Sequence, residues 1–122
     1  MNPLTPAWSK TIMSRFLVIV RQGVPTPPPN SPEAAQMLKL LISEFEYQLS
    51  LQKKGKIVAG GTFLDIRGGC TVLEVDSVEE MGEIFFNSPL NPWVEREVHP
   101  LGTFEDSLAG MKEVAAVSSR RR

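Results

Sequence analysis

The order of the apolar segments is the feature that most constrains how this chain can fold. Residues 15–21 form a short apolar run, rich in β-branched side chains and bounded by arginines, which is typical of a strand buried on both faces. After a proline-rich loop, Ser31 supplies a capping hydroxyl and Pro32 a proline at the first helical position. We therefore predict a long helix from Pro32 to about residue 54, ended by Gly55.

Two further strands are predicted after this helix. Residues 56–64 have the composition of a strand, which we expect to be weakened or bulged at Gly60 and Gly61 because glycine contributes no side-chain packing. Residues 70–75 predict a third strand, and residues 65–69 predict the turn that joins it to the second. The whole segment is therefore expected to form a β-hairpin.

A second helix and a fourth strand complete the pattern. Ser77 followed by Glu80 forms a capping box that opens a short helix, and residues 94–101 predict the last strand. The resulting order, β-α-β-β-α-β, is that of the ferredoxin-like α+β sandwich, in which both helices cover one face of an antiparallel sheet. Because the other face then lacks cover, we expect two copies to assemble as a dimeric α+β barrel.

Apolar side chains at three- and four-residue steps predict which helix faces pack on the sheet. In the first helix the core-facing set is Leu38, Leu41, Ile42, Phe45 and Leu49, broadened on one side by Met37, Leu40, Tyr47 and Leu51. In the second helix the inward set is Val78, Met81 and Phe85. A stripe as wide as that of the first helix predicts contact with something besides the helix's own sheet.

We divide the chain into three parts. Residues 1–14 form an N-terminal extension without sustained periodicity, residues 15–117 form the ferredoxin-like domain with a C-terminal arm, and residues 118–122 form a basic tail. The arm is predicted as a short helix over residues 103–114, and we expect it to pack across a partner subunit. Its apolar side consists of Phe104, Leu108 and Met111. We interpret the terminal arginines as a solvated tail, with a phosphate-binding tail as the alternative.

The totals exclude several function classes. A chain of 122 residues suits one domain, and a net charge of −1 gives no indication of nucleic-acid or membrane binding. With Cys70 as the single cysteine and His99 as the single histidine, we expect no intrachain disulfide and no metal site. No apolar run approaches the roughly 20 residues of a membrane span, and the first residues lack a secretory pattern. A cytoplasmic protein is expected.

One segment carries a resemblance to a known family. Residues 89–93 read Pro-Leu-Asn-Pro-Trp, and an alternating strand with a central acidic residue and a terminal Pro-Leu follows them. This pattern resembles the muconolactone isomerase family, as do the first strand, Ser31 with Pro32, and the acidic opening of the second helix at residues 76–80. The similarity extends over residues 15–101. The related YCII family shares the fold and matches parts of residues 60–65, but its histidine-bearing helix motif is missing here.

The resemblance implies a cofactor-free isomerase whose pocket lies beside the sheet, is completed by another subunit, and moves a proton on an unsaturated, carboxylated lactone. In an ungapped alignment the family's second-strand histidine falls at Ala59 and its first-helix lysine at Ala34, and neither alanine can move a proton.

We therefore expect an isomerase, cyclase or dehydratase with a different lactone or polyketide-like substrate. The alternative is a non-catalytic ligand-binding or accessory protein on the same scaffold. A haem-degrading or quinol-oxidising monooxygenase is a third option with little support.

Candidate catalytic residues lie on the predicted fourth strand. Strand alternation places Glu97 and His99 on one face, where a carboxylate neighbour favours the charged form of the imidazole. We predict them as the proton-transfer pair, with an exposed, solvated strand end as the alternative. Arg96 interrupts the apolar series on the other face and needs a partner if it is buried. That partner is either a substrate carboxylate or Glu74, which would make it a structural ion pair.

The remaining candidates are proposed to line the pocket. Tyr47 and Trp93 would form an aromatic wall with a polar handle, although either residue is commonly core or interface. Asp65 and Arg67 would lie at the pocket mouth, with a simple role in the turn as the alternative. Cys70 has no evident triad partner, so we interpret it as buried packing.

Overall fold

The computed structural model describes residues 15–120 and confirms the predicted α+β class and element order. The predicted extension at residues 1–14 and the last two arginines of the basic tail lie outside the described residues. The strands are β1 (Arg15–Gln22), β2 (Ile57–Thr62), β3 (Gly68–Glu74) and β4 (Val94–Pro100). The helices are α1 (Pro32–Lys53), α2 (Val78–Phe86) and α3 (Phe104–Arg120), and a 3-10 turn at Asn91–Trp93 precedes β4.

The four strands form one antiparallel sheet in the order β2-β3-β1-β4. On the central strand, Val18 pairs with Thr71 and Val98, whereas its neighbour Leu17 pairs with Val72 and His99. Paired residues on adjacent strands share a face of the sheet, and successive residues alternate between faces. One face therefore carries Val18 and its partners, and the opposite face carries Leu17 and its partners.

The core lies between the first of these faces and the helices α1 and α2. Its buried members are Phe16, Val18, Leu51, Ile57, Leu73, Val75 and Met81. The opposite face of the sheet is called the bare face below, and it carries Leu17, Ile19, Cys70, Val72, Glu97 and His99. The aliphatic members of the bare face are only half-buried, in agreement with the predicted need for cover.

Both predicted helix starts are confirmed by their capping hydrogen bonds. The Ser31 hydroxyl oxygen accepts from the Ala34 N–H at 3.0 Å, and the Ser77 hydroxyl oxygen accepts from the Glu80 N–H at 3.1 Å. The Glu80 carboxylate accepts from the backbone N–H of Asp76, not of Ser77, so the reciprocal half of the capping box is displaced by one residue. These local bonds satisfy backbone donors that have no partner within the helix.

The prediction for the face of α1 was right for Leu41, and for Met37, Tyr47 and Leu51 beside it, but wrong for the other four residues of the core-facing set. Leu38, Ile42, Phe45 and Leu49 are between 43% and 59% exposed. The side of α1 that packs on the sheet is turned by about a third of the circumference and contains Met37, Leu41, Glu44, Tyr47 and Leu51. The apolar arc of this helix is wider than the sheet covers, so periodicity alone did not decide which part of it is buried. We name the exposed part, Leu38, Ile42, Phe45 and Leu49, the outer stripe.

Smaller expectations were also corrected. Val78 is exposed, whereas Met81 is buried and Phe85 half-buried as predicted.

The irregular register of β2 lies between Ile57 and Ala59 and not at the glycine pair. The glycines continue the pairing with β3. At Gly60 the two backbones lie so close together that a side chain would clash with the backbone of Cys70, so glycine is required there.

The arm is longer than predicted. The Thr103 hydroxyl oxygen accepts from the Asp106 N–H at 3.0 Å and caps α3, which then continues to Arg120 because residues 115–119 contain no helix breaker. Its apolar side chains are exposed, including Phe104 at 92%. None of the helices in the described part of the chain has the length and hydropathy that a membrane span requires.

Candidate functional site

A cavity of about 360 Å³ lies between the covered face of the sheet and the helix layer. Its walls come from α1, α2, the sheet, the β2–β3 hairpin and the loop that joins α2 to β4. Most of the lining side chains are apolar. The polar groups that reach it include Glu44, Tyr47, Gln48, Ser88 and Arg96. An apolar pocket with a few convergent polar groups is the usual form of a small-molecule site.

Glu44 is a buried carboxylate on the cavity wall, only 6% exposed. One carboxylate oxygen accepts from the Ser88 hydroxyl and, at 3.2 Å, from the Leu90 N–H, while the other accepts from the Gln48 amide at 3.0 Å. An ionised carboxylate only accepts hydrogen bonds, so three donors suit it well. These bonds also connect α1 to the loop after α2.

The sequence analysis did not identify Glu44 as a site residue. A signal was present, because Glu44 lies three residues after Leu41 and three before Tyr47, within the broad apolar arc of the helix. A lone acidic residue in such an arc must be hydrogen-bonded or paired when buried. Two of its three donors, Ser88 and Leu90, lie more than forty positions away in the chain, and no local pattern predicts them.

Arg96 projects from β4 into the same cavity. One guanidinium nitrogen donates to the Asn91 side-chain oxygen at 2.6 Å, and the guanidinium lies 4.6 Å from the centroid of the Phe85 ring. Burial lowers the pKa of Arg96 from its usual value, and the nearby Glu44 and Tyr47 oppose that shift. No buried side-chain nitrogen in residues 15–120 lacks a partner, so any guanidinium nitrogen without a protein partner is accessible to solvent.

The partner suggested for Arg96 from the sequence is occupied elsewhere. Glu74 lies 3.2 Å from Arg15, where β1 and β3 pair beside the bare face. Glu44 is the acidic group whose charge acts to raise the pKa of Arg96. The two side chains are not in direct salt-bridge contact within the described chain. The guanidinium is therefore held by an amide and an aromatic ring, with donors left for a ligand.

Tyr47 and Trp93 both line the cavity. The Tyr47 hydroxyl donates to the backbone oxygen of Ile84 at 2.7 Å and ties α1 to α2. Burial, followed by the negative charge of Glu44, raises the pKa of Tyr47, and Arg96 opposes the shift. Trp93 is more exposed, at 36%, and forms part of the opening.

Of the two residues predicted at the pocket mouth, only one lines the cavity. Arg67 lines the cavity, whereas Asp65 is an exposed turn residue outside its lining. Ala34 lies in the first turn of α1. Ala59 lies on β2, in a smaller groove of about 230 Å³ between α1 and β2. Cys70 is half-buried mid-strand.

Glu97 and His99 are together, but on the bare face. The His99 Nε2 and a Glu97 carboxylate oxygen are 2.6 Å apart, and Arg21 approaches the other oxygen at 3.6 Å. The hydrogen bond from His99 lowers the pKa of Glu97, with a smaller contribution from Arg21. Both side chains are about half-exposed, on the side of the sheet opposite the cavity.

The site contains charged groups but no cluster suited to a metal ion. Within residues 15–120, no three His, Cys, Asp or Glu side chains converge in a way that would hold one. The chemistry that the cavity itself offers is a fixed cation, a hydrogen-bonded carboxylate and an apolar enclosure. Such an arrangement can bind a small anionic compound and move a proton on it.

Comparison with known proteins gives one family. The family model for muconolactone delta-isomerase matches residues 16–107. No curated protein sequence matches the chain closely enough to count as a relative.

The chain also resembles solved structures. A crystal structure of muconolactone isomerase is 25% identical, with a TM-score of 0.61, and the match covers 71% of this chain and 86% of that chain. The 5-chloro-2-hydroxyhydroquinone dehydrochlorinase of Burkholderia phenoliruptrix AC1100, in complex with 2,5-dihydroxybenzoquinone, is 19% identical with a TM-score of 0.55. That second match covers 75% of this chain and 97% of the other, and it concerns the fold alone.

Proposed function

Because this chain belongs to the muconolactone delta-isomerase family, we propose that it is a cofactor-independent enzyme that isomerises, cyclises or dehydrates an unsaturated, carboxylated small molecule. The observation that carries the proposal is the presence of Glu44 and Arg96 in one apolar cavity. A lactone or a polyketide-like compound bearing a carboxylate is the substrate class we infer.

Arg96 is proposed to anchor the carboxylate of the substrate. A guanidinium presents several N–H donors in a planar fork that matches the two oxygens of a carboxylate. Its bond to Asn91 and its position over the Phe85 ring fix the orientation of that fork before any ligand arrives. Because the cavity is apolar, a charge pair formed there is stronger than the same pair in water.

Glu44 is proposed to move the proton. It would accept a proton from a carbon next to the substrate carbonyl, and the electron pair of the broken C–H bond would move onto the carbonyl oxygen. The protonated carboxyl group would exchange its proton with solvent and deliver a proton to a different carbon, which shifts the double bond with no net gain or loss of atoms. General acid–base catalysis of this kind typically contributes about 10²- to 10⁴-fold in rate.

Glu97 and His99 remain the competing assignment. We infer that two copies pack their bare faces together, since no helix in residues 15–120 covers the half-buried Leu17, Ile19 and Val72 there. Such an interface would enclose the Glu97–His99 pair, and a pocket formed in it would use that pair for proton transfer. Replacing Ile19 by Lys should dissociate this dimer, as measured by light scattering after size-exclusion chromatography.

The experiment follows solvent deuterium into a panel of unsaturated, carboxylated lactones by proton NMR. Loss of exchange in Glu44→Gln, with activity kept in His99→Ala and in the control Glu46→Gln on the outer side of the same helix, supports the cavity assignment. Loss of exchange in His99→Ala and Glu97→Gln, with Glu44→Gln active, would reject Glu44 and assign the reaction to the bare face.

A non-catalytic ligand-binding protein is the second candidate. The observation that favours it is alanine at residues 34 and 59, where the family has its lysine and histidine. Binding of the lactones that depends on Arg96, without deuterium exchange or product formation for any of them, would select this candidate.

A further inference from the structure

Three charged side chains of the described chain line the cavity, and the proposed function uses only two of them. They are Glu44, Arg96 and Arg67, and the other lining residues among 15–120 are uncharged. With Glu44 ionised, the three groups carry one net positive charge. Because a charge is poorly solvated in an apolar enclosure, it needs an opposite charge nearby. A ligand with one carboxylate therefore leaves the filled cavity neutral.

The backbone around Arg67 is held in place beside β1. The Phe63 N–H donates to the Gly68 carbonyl oxygen at 2.9 Å and closes the loop that contains Arg67. Gly68 has a φ of +150° and packs so close to β1 that an added Cβ would clash with the Val20 carbonyl oxygen. The loop is therefore anchored to the sheet by a hydrogen bond and by close backbone packing.

Arg67 and Arg96 reach the cavity from different sides. On β1, Val20 pairs with Gly69 of β3 on one side and with Arg96 of β4 on the other. Neighbouring strands lie about 4.8 Å apart, so the Cα atoms of Gly69 and Arg96 are about 10 Å apart across β1. Arg67 comes two residues before Gly69 and lies at most about 7 Å from it. Because Gly69 has no side chain, the floor of the cavity stays open between the two arginines.

The guanidinium of Arg67 is available to a ligand. Arg15 and Arg21 each lie close to a carboxylate of a neighbouring strand, at 3.2 Å and 3.6 Å. Within residues 15–120, no carboxylate lies within ion-pair distance of Arg67. Its side chain is exposed and lines the cavity. The loop therefore presents a cation whose donors remain for an anionic oxygen.

We propose that Arg67 binds the substrate oxygen on which negative charge develops while Glu44 takes the proton. This inference rests on the proposed function, in which Arg96 holds the substrate carboxylate. As the proton moves from carbon to a Glu44 oxygen, the C–H electron pair forms a new C=C bond and the carbonyl π pair moves onto the carbonyl oxygen. Glu44 becomes neutral and that oxygen becomes negative, so Arg67 is the cation left to balance it. The filled cavity then has no net charge before or after the transfer.

The same arrangement narrows the substrate class. The carboxylate and the reacting carbonyl must lie at opposite ends of the molecule, because the two arginines belong to strands on either side of β1 or to the loop that leads into one of them. A lactone with its carboxylate on a side chain remote from the ring carbonyl satisfies this condition. A 2-oxo acid, whose two groups are adjacent, does not reach both arginines.

The test measures the ionisation of a bound enolate mimic. The probe, 4-hydroxy-3-nitrobenzoate, has a carboxylate and a phenol at opposite ends of its ring, and its phenolate absorbs visible light. An opposite charge nearby shifts a pKa by about 1–3 units towards the charged form. We therefore expect Arg67→Gln to raise the pKa of the bound phenol by about 1 unit. Arg67→Lys, which keeps the cation, and the control Arg15→Gln should stay close to the wild type.

The outcomes separate this inference from the proposed function. Binding that is lost in Arg96→Gln but kept in Arg67→Gln supports the assignment of the carboxylate to Arg96. Equal phenol pKa values in the wild type and Arg67→Gln would overturn the role of Arg67 and leave the proposed function standing. Failure of the wild type to bind the probe would overturn both.

A kinetic measurement gives a second readout for any lactone that exchanges solvent deuterium. Removing a group that stabilises a developing oxyanion typically costs about 10²- to 10³-fold in kcat. Arg67→Gln should therefore lower kcat by about 10²-fold with little change in KM, whereas Arg96→Gln should mainly raise KM. Partial recovery of kcat in Arg67→Lys is expected, since it restores the charge. An unchanged kcat in Arg67→Gln would overturn the inference.

Discussion

The two faces of the sheet place charged groups in opposite circumstances. On the side of the covered face, Glu44 is buried and Arg96 is partly buried, and both are held by neutral donors or acceptors and line a cavity. On the bare face, Glu97 contacts His99 and Arg21 directly, with side chains about half-exposed to solvent. Solvent weakens such pairs, whereas a low-dielectric cavity strengthens any charge that a ligand brings. Contact between charged residues is therefore a poorer guide to a site than burial without a charged partner.

The largest effect on stability is expected from truncating two adjacent residues of β3 that lie on opposite faces of the sheet. Leu73 is 2% exposed on the covered face, and Val72 is half-buried on the bare face. Leu73→Ala should lose about 2–5 kcal/mol of unfolding free energy, because it leaves a cavity in packed surroundings. Val72→Ala should lose clearly less, as measured by urea denaturation at a protein concentration where the chain is monomeric. Equal losses would show that the bare face is as tightly packed as the core.

The next effect concerns the two carboxylates. Glu44→Leu leaves the Ser88 hydroxyl, the Leu90 N–H and the Gln48 amide without their acceptor, and we expect a loss of about 1–3 kcal/mol in unfolding free energy. Glu97→Leu removes an exposed pair and should change stability less. Chemical denaturation of both variants checks this, with Glu46→Leu as the control on the exposed side of α1. A larger loss in Glu97→Leu would contradict the comparison.

Arginine substitutions should separate the two faces in ligand binding. Arg96→Lys keeps a positive charge but loses the planar fork, so binding of a carboxylated lactone should weaken by about tenfold, which corresponds to about 1.4 kcal/mol. Arg21→Lys, on the bare face, should leave the dissociation constant unchanged. Isothermal titration calorimetry measures both. Equal dissociation constants for Arg96→Lys and the wild type would remove Arg96 from the binding site.

The smallest effect is a pH dependence of stability on the bare face. The pKa of Glu97 is lowered in the folded state, mainly by the hydrogen bond with His99. Its contribution to stability is therefore present above the unfolded pKa and is lost as the pH falls through the folded value. Between about pH 6 and about pH 3, the wild type should lose slightly more stability than Glu97→Gln in urea titrations. Parallel pH profiles would show that the pair contributes nothing.

Some predictions succeeded because their causes are local. Ser31, Pro32 and Ser77 begin helices through bonds and sterics that involve only the next few residues. The alternation of β4 correctly separated Arg96 from Glu97 and His99, since the two-residue period is a property of any strand. The family resemblance, based on the residues around Pro89 to Trp93, is confirmed by the match over residues 16–107.

Other features depended on contacts between distant parts of the chain. The sequence predicted a wide apolar arc on α1, but its packing on the sheet decided that Glu44 is buried and that Phe45 is exposed. Pairing of Arg96 with Glu74 was chemically reasonable, yet the sheet gives Glu74 to Arg15 and points Arg96 at Asn91 and Phe85.

By itself, then, the sequence determined the element order, the helix starts and the strand faces, because each follows from backbone geometry over a few residues. Only the tertiary structure decided which side of α1 meets the sheet and which charged groups share a cavity. Those outcomes depend on the relative positions of segments that lie more than forty residues apart, where short-range preferences have no influence.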